Sequence, residues 1–146
     1  MVFSVLCQLQ GGCMGCCGNN FGTVKQIKEA IWKNTAEFTS LEPVSDAEFK
    51  RFRDRCYISD LRHGVCRNLI DDGKLGCPLH PSNHDGQDLR ENHCDISYLC
   101  KTAKEFALWG KVKQDKFIVF ISKKKLDNIN YSLQMDKSSL LEEFES

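Results

Sequence analysis

Three cysteines lie within five positions near the start of the chain. Cys13 and Cys16 have the spacing of a CxxC pair, and Cys17 follows directly. Thiolates at this spacing chelate zinc and iron when the backbone bends enough for the sulfurs to converge. Glycines are frequent in the segment 11–18 and permit that bending. The segment therefore predicts a thiolate metal site, and a CxxC redox pair is the rival interpretation.

The adjacent pair Cys16 and Cys17 bears on the number of metals. Neighbouring side chains diverge from the backbone, so both rarely bind one ion in simple geometry. One tetrahedral ion needs only four ligands, whereas the chain has nine cysteines, among them Cys7 just upstream of the cluster. We therefore expect more than one metal atom per chain.

A second group of cysteines occupies the middle of the chain. Cys66 and Cys77 flank the turn sequence DDGK, and a hairpin there would bring the two thiols together. Cys94 and Cys100 stand around the start of a predicted helix, whose amino terminus would help to hold a thiolate. His80 follows Cys77 by three residues and is the best candidate among the histidines.

The remaining histidines and one cysteine receive other interpretations. His93 directly precedes a cysteine and is the second histidine candidate. His63 and His84 are expected to be exposed loop residues. Cys56 lies at a predicted helix end and is expected to be a small buried hydrophobic residue.

The cysteine pattern over roughly residues 7–100 resembles the CxxCxxCC family of zinc- or iron-chelating cysteine-cluster domains. The matching positions are Cys13, Cys16, Cys17, Cys66, Leu69, Asp72, Gly73, Cys77, Pro81 and Cys94. His80 stands where the family usually has an arginine, so a hydrogen-bonding role is the alternative to a ligand role. The resemblance implies a metal-binding domain. The candidate ligands are Cys7, Cys13, Cys16, Cys17, Cys66, Cys77, Cys94, Cys100 and His80.

Helices are predicted from apolar spacing and capping residues. The predicted helices are 24–38 capped by Thr23, 45–56 with a Ser45–Glu48 capping box, 95–109 capped by Asp95 and stopped by Gly110, and a weakly periodic tail from Leu126. The predicted strands are 2–6 and 116–122. The segment 57–95 has little periodicity, so a metal is expected to order it.

These elements indicate an α+β, mainly helical, single domain over 1–146, with a cysteine-cluster region at 7–100 and a carboxyl-terminal strand and helix extension at 111–146. The formal net charge is zero and the pI is about 6.9, which argues against a strongly basic nucleic-acid binder. No signal peptide and no stretch long enough to span a membrane is evident, so we expect a cytoplasmic protein with reduced thiols.

The expected function is metal binding, with zinc ahead of an iron–sulfur cluster. No phosphate loop, nucleophile elbow or HExxH motif occurs, so the sequence leaves open whether the chain is an enzyme. An iron–sulfur enzyme or electron carrier is one alternative. A nucleic-acid or protein interaction module is the other, based on the lysines between 111 and 125.

Overall fold

The computed structural model describes residues 4–14, 20–57, 60–91 and 99–146. About 54% of these residues are helical and 6% lie in strands, which confirms a mainly helical α+β composition. The chain divides into two compact units. We call the first, Cys17–Ile96 with Met1, the hairpin unit, and the second, Val2–Cys16 with Ser97–Ser146, the helical unit. Cys7 and Cys13 thus belong with the carboxyl-terminal helices.

Two helices and two small sheets build the described part of the hairpin unit. Its elements are α1 (Val24–Leu41), α2 (Asp46–Arg53), β1 (Leu61–Arg62), β2 (Val65–Cys66), β3 (Ile70–Asp71), β4 (Leu75–Gly76) and a 3-10 helix (Pro81–Asn83). Both predicted amino-terminal caps are confirmed. Thr23 accepts a hydrogen bond from the Gln26 amide, and Ser45 forms a capping box with Glu48.

The two sheets of the hairpin unit are antiparallel hairpins. β1 pairs with β2 in the register Leu61↔Cys66, and β3 pairs with β4 in the register Ile70↔Gly76. The second hairpin contains the DDGK turn, where Gly73 has a φ of 105° that favours glycine. α1 packs on β3. The buried apolar side chains of the hairpin unit include Ile27 and Ile31 of α1 and Ile70 of β3.

The helical unit contains short helices around one core. Its elements are a 3-10 helix (Val5–Gln8), α3 (Lys101–Ala107), α4 (Lys111–Lys124), α5 (Asn128–Asp136) and α6 (Ser139–Glu145). The buried core consists of Leu6, Cys100, Ala103, Phe106, Phe117, Ile121, Tyr131, Met135, Leu140 and Leu141. α5 and α6 confirm the helical tail predicted from Leu126 onward. Among the described residues, no helix has the length and apolar character needed to cross a bilayer.

The predicted strand at 116–122 is wrong, because this segment lies inside α4. Five consecutive apolar residues at 117–121 satisfy a helical period as well as a strand period. In the helix, Phe117 and Ile121 are one turn apart on the same face, and both are fully buried in the core. Tertiary packing of this face, rather than local preference, decides the structure.

Two other predictions, the strand at 2–6 and the start of the helix at 95–109, also differ from the structure. The predicted strand 2–6 is wrong in its described part, where Val5–Gln8 form a 3-10 helix capped by Ser4. The helix predicted for 95–109 begins at Lys101, with Cys100 at its cap position. The predicted cap Asp95 lies outside the described residues.

Candidate metal centre

Three of the predicted ligands lie near one buried hydroxyl group in the helical unit. Tyr131 of α5 is fully buried. Burial raises the pKa of its hydroxyl group most, and negative charge on nearby sulfurs raises it further, those of Cys13, Cys7 and Cys100. Cys7 acts in the same way on the pKa of the Cys100 thiol. The structure therefore brings together thiols from two segments that are far apart in sequence.

A tight loop brings Cys13 back towards Cys7. The Cys13 amide donates a hydrogen bond to the Cys7 carbonyl oxygen at 3.0 Å. Gly11 and Gly12 have φ values of 82° and 102°, in the left-handed region that glycine adopts without strain. A Cβ atom on Gly11 would also lie 3.4 Å from the Cβ of Asn128. The glycines before the cluster thus let the chain reverse and approach α5 closely.

Side chains of α5 fix both ends of this loop. The Tyr131 hydroxyl group donates a buried hydrogen bond to the Leu6 carbonyl oxygen, immediately before Cys7. The Ser132 Oγ accepts a hydrogen bond from the Met14 amide at 2.9 Å, immediately after Cys13. Ser132 also donates to the Asn128 carbonyl oxygen at 2.7 Å, within α5. Consecutive residues of one helix therefore position the neighbours of two thiols.

The third thiol is held through the start of α3. Thr102 is fully buried, and its Oγ1 donates a hydrogen bond to the Met135 carbonyl oxygen of α5 at 3.1 Å. This bond ties the first turn of α3 to the same helix that carries Tyr131. α5 is consequently the common support for the segments that contain Cys7, Cys13 and Cys100.

Cys100 is the most buried of these three sulfurs, with 7% of the residue exposed. Burial raises the pKa of its thiol, and the nearby amides of Ala103 and Thr102 offset only part of that effect. The Cys100 side chain forms no capping hydrogen bond with the described residues. Burial therefore favours the neutral thiol, and a cation beside the sulfur would favour the thiolate.

In the hairpin unit, Cys66 and Cys77 lie at the ends of adjacent hairpins. Cys66 ends β2, Cys77 follows β4, and both are half-buried. Asn34 of α1, which is fully buried, donates from its Nδ2 to the carbonyl oxygens of Cys66 at 2.8 Å and Leu69 at 2.9 Å. α1 thereby fixes the backbone between the two hairpins.

His80 forms local hydrogen bonds that bear on its predicted ligand role. Its Nδ1 accepts a hydrogen bond from the Ser82 amide at 3.1 Å and lies 2.9 Å from the Ser82 hydroxyl group. Burial lowers the pKa of His80, and the positive charge of Arg90 lowers it further, so the ring is neutral at pH 7. Because Nδ1 accepts this hydrogen bond, the ring proton lies on Nε2. Metal binding through Nε2 would move the proton to Nδ1, and the hydrogen bond from the Ser82 amide would then be lost.

Two further residues have packing roles. The Cys56 Sγ lies 3.7 Å from the Arg53 carbonyl oxygen, and burial raises the pKa of its thiol. The His84 Nε2 donates to the Pro78 carbonyl oxygen at 2.7 Å, and its ring packs edge-on against Phe49 at 4.5 Å between centroids. His84 thus has specific contacts, where the sequence suggested an exposed loop residue.

The described side chains do not by themselves form a closed metal site. Within residues 4–14, 20–57, 60–91 and 99–146, no group of three or more His, Cys, Asp or Glu side chains is arranged closely enough to hold an ion. The predicted ligands Cys16, Cys17 and Cys94, and the second histidine candidate His93, lie outside these residues. Cys7, Cys13 and Cys100 are all described, and they lie near Tyr131 without forming such a group.

Sequence reasoning missed the residues of α5 that support these thiols. Tyr131 and Ser132 fall in a weakly periodic tail, and nothing in their local sequence distinguishes them. Their partners Leu6 and Met14 are 125 and 118 residues away in the chain. The only local signal in this region is Asp127, a good helix cap, which accepts a hydrogen bond from the Asn130 amide.

No family model matches the chain, and neither a curated protein nor a solved structure does so. The resemblance to the CxxCxxCC family therefore rests on the motif residues alone.

Proposed function

We propose that this chain is a thiolate metal-binding protein and that Cys7, Cys13 and Cys100 contribute to one site in the helical unit. The observation that carries the proposal is that Cys100 shares one buried core with Tyr131, that Cys13 packs against this core, and that the Cys13 amide is hydrogen-bonded to the Cys7 carbonyl oxygen. The metal is zinc, with an iron–sulfur cluster as the alternative, because thiolates hold both.

The chemistry of the donors fits such a metal. Cysteine binds metal as the thiolate, and a buried thiolate such as that of Cys100 is unfavourable without a cation beside it. A bound divalent cation supplies that charge and links the loop 7–13 to the start of α3. A tetrahedral site needs a fourth ligand, for which the sequence predicts Cys16.

A second metal is proposed for the hairpin unit on the basis of sequence and hairpin geometry. Cys66 ends β2, and its carbonyl oxygen accepts a hydrogen bond from Asn34, whereas Cys77 follows β4 and its carbonyl oxygen accepts one from Asn83. Cys94 and His80 complete the predicted set. Each unit would then contain its own half of the predicted ligands, in agreement with more than one metal atom per chain.

Elemental analysis of protein purified without oxygen tests the proposal. Zinc protein is colourless, whereas an iron–sulfur protein is brown, so the spectrum separates the two metals. Cys7→Ser, Cys13→Ser and Cys100→Ser should each lower the metal content per chain. Cys56→Ser is the matched control, because Cys56 contacts the Arg53 carbonyl group and is expected to keep the wild-type metal content. Unchanged metal content in all three site variants would contradict the proposal.

A further inference from the structure

The solvent-facing side of α4 carries alternating apolar and cationic residues. We call Val112, Lys116, Val119 and Lys123 the α4 stripe. Their spacing of four, three and four residues places them on one helical face. Val112 is 71% exposed and Val119 is 50% exposed, which is unusual for β-branched apolar residues in a packed unit.

The core of the helical unit does not use this face. Phe117 and Ile121 are fully buried and point to the opposite side of α4. Beside the stripe lies an open groove of about 440 Å³, lined by Asp115, Lys116, Val119, Phe120 and Lys123. The apolar part of the lining comes from Val119 and Phe120, and the charged part comes from Lys116, Lys123 and Asp115, whose carboxylate pairs with Lys111.

The lysines on and beside the α4 stripe differ in their ion pairs. Three lysines beside it have partners: Lys111 pairs with Asp115, Lys113 with Glu145 and Lys124 with Glu143. In contrast, Lys116 and Lys123 form no ion pair with any residue that the structure describes. These two cations are separated by two helical turns, about 10.5 Å along the axis.

We propose that the α4 stripe binds an acidic amphipathic helix of another protein. The matching segment presents two carboxylates seven residues apart, which pair with Lys116 and Lys123, and a Leu between them that packs on Val119 and Phe120. Helices bind grooves through such repeated anchors at helical spacing. The small area makes the contact weak and transient.

The same features disfavour nucleic acid as the occupant. Affinity for nucleic acid requires several cations along a backbone path and exposed aromatic rings for stacking. The groove offers two unpaired lysines and one half-buried ring, Phe120. The apolar lining between the lysines instead fits an aliphatic side chain. This proposal is independent of the metal site.

Fluorescence anisotropy with a synthetic peptide of about 14 residues tests the proposal. The peptide is labelled with fluorescein, is helical, and carries Glu, Leu and Glu at positions i, i+3 and i+7. We expect salt-sensitive binding to the wild-type protein. Binding should weaken about tenfold or more for Lys116→Glu/Lys123→Glu and also weaken for Val119→Asp. Lys25→Glu/Lys28→Glu on α1 changes the net charge equally and should have little effect.

A charge-swapped peptide sharpens the test. With Lys in place of both Glu residues, it should bind the Lys116→Glu/Lys123→Glu variant more tightly than it binds the wild-type protein. Circular dichroism confirms that each variant is folded. Equal binding by wild-type and reversed-charge proteins would overturn the proposal. So would tighter binding of a single-stranded RNA of similar length, or a dimer in light scattering that Val119→Asp dissociates.

Discussion

The two units position their cysteines in different ways. In the hairpin unit, Cys66 and Cys77 are placed by short turns, and one side chain of α1, Asn34, fixes the backbone between them. In the helical unit, the loop around Cys7 and Cys13 is placed by two hydrogen bonds, whose partners are 118 and 125 residues apart in the sequence. Local geometry dominates the first arrangement and tertiary geometry the second. One chain thus positions its thiols by two routes, and we expect the two routes to differ in their sensitivity to mutation.

The largest expected effect comes from removing the support of the hairpins. Asn34 is fully buried, donates two hydrogen bonds, and accepts one from Arg62 at 3.3 Å. Asn34→Ala should lower the free energy of unfolding by about 3 kcal/mol, because it removes two hydrogen bonds of a buried side chain, one of them the buried bond to the Leu69 carbonyl oxygen. Chemical denaturation measures the loss.

Hydrogen exchange then locates the effect of Asn34→Ala. Amides in residues 61–76 should exchange faster, while those of α5 should change little. Lys33→Ala, at the neighbouring exposed position with a surface pair to Glu29, is the control and should cost no more than about 0.5 kcal/mol. Equal acceleration of exchange in α5 would contradict the assignment of a local role.

Tyr131→Phe should have the next largest effect on stability, and it tests whether tertiary hydrogen bonds from α5 position the loop at Cys7. The change removes one buried hydrogen bond to the Leu6 carbonyl group and keeps the ring in the core, so it should cost about 1–2 kcal/mol. It also frees the backbone before Cys7. We therefore expect weaker metal binding in competition with a chelator, although every thiol remains.

A buried aromatic residue without a link to the thiols serves as the comparison for Tyr131→Phe. Phe117→Leu perturbs the same core and retains the bond to Leu6. If both variants lose metal affinity in proportion to their lost stability, Tyr131 has only a packing role.

Ser132→Ala should have a similar or smaller effect on stability, about 1 kcal/mol, and a selective effect on Cys13. It removes the acceptor of the Met14 amide, the residue after Cys13. Ser132→Thr keeps that acceptor and should restore most of the metal affinity. Cobalt substitution followed by absorption of the thiolate-to-metal band provides the readout, and identical spectra for the Ala variant and the wild-type protein would count against positioning by Ser132.

The smallest effect is a pH dependence in the hairpin unit. Glu37 pairs with Arg55, Arg62 and Arg67. Burial raises the pKa of this carboxyl group, but the three positive charges together outweigh it and hold the pKa below the ordinary value of 4.5. A lowered pKa in the folded state means that the stabilisation is fully present above about pH 4.5 and is lost as the pH falls through the folded value.

Glu37→Gln should therefore cost about 1 kcal/mol at pH 7 and progressively less below pH 4.5. Denaturation midpoints of both proteins between pH 3 and pH 7 measure the convergence. Glu42→Gln, at the end of the same helix, should give a difference that is small throughout. A constant difference between Glu37→Gln and wild type at every pH would show that the carboxylate charge has no part in the effect.

Structure that depends on nearby residues can be predicted from the sequence, whereas structure that depends on tertiary contacts cannot. α1 and α2 were predicted together with their caps, because Thr23 and Ser45 act on residues three positions away. The segment 116–122 was mistaken for a strand, because its apolar run has no distinct period and its helical state depends on packing at Phe117 and Ile121. Cysteine spacing identified the candidate ligands. It could not group Cys100 with Cys7, because that pairing depends on contacts made by α5.

The bond between Tyr131 and Leu6 also has a consequence for protein synthesis. The segment around Cys7 leaves the ribosome before α5, because Tyr131 is translated 125 residues after Leu6. At typical rates of 5–20 residues per second, the delay is about 6–25 s. During that interval Cys7 and Cys13 are without the helix that buries them. The nascent chain therefore exposes these thiols to oxidants, and the loop from Leu6 to Met14 can dock on its hydrogen-bonding partners only when translation of α5 is complete.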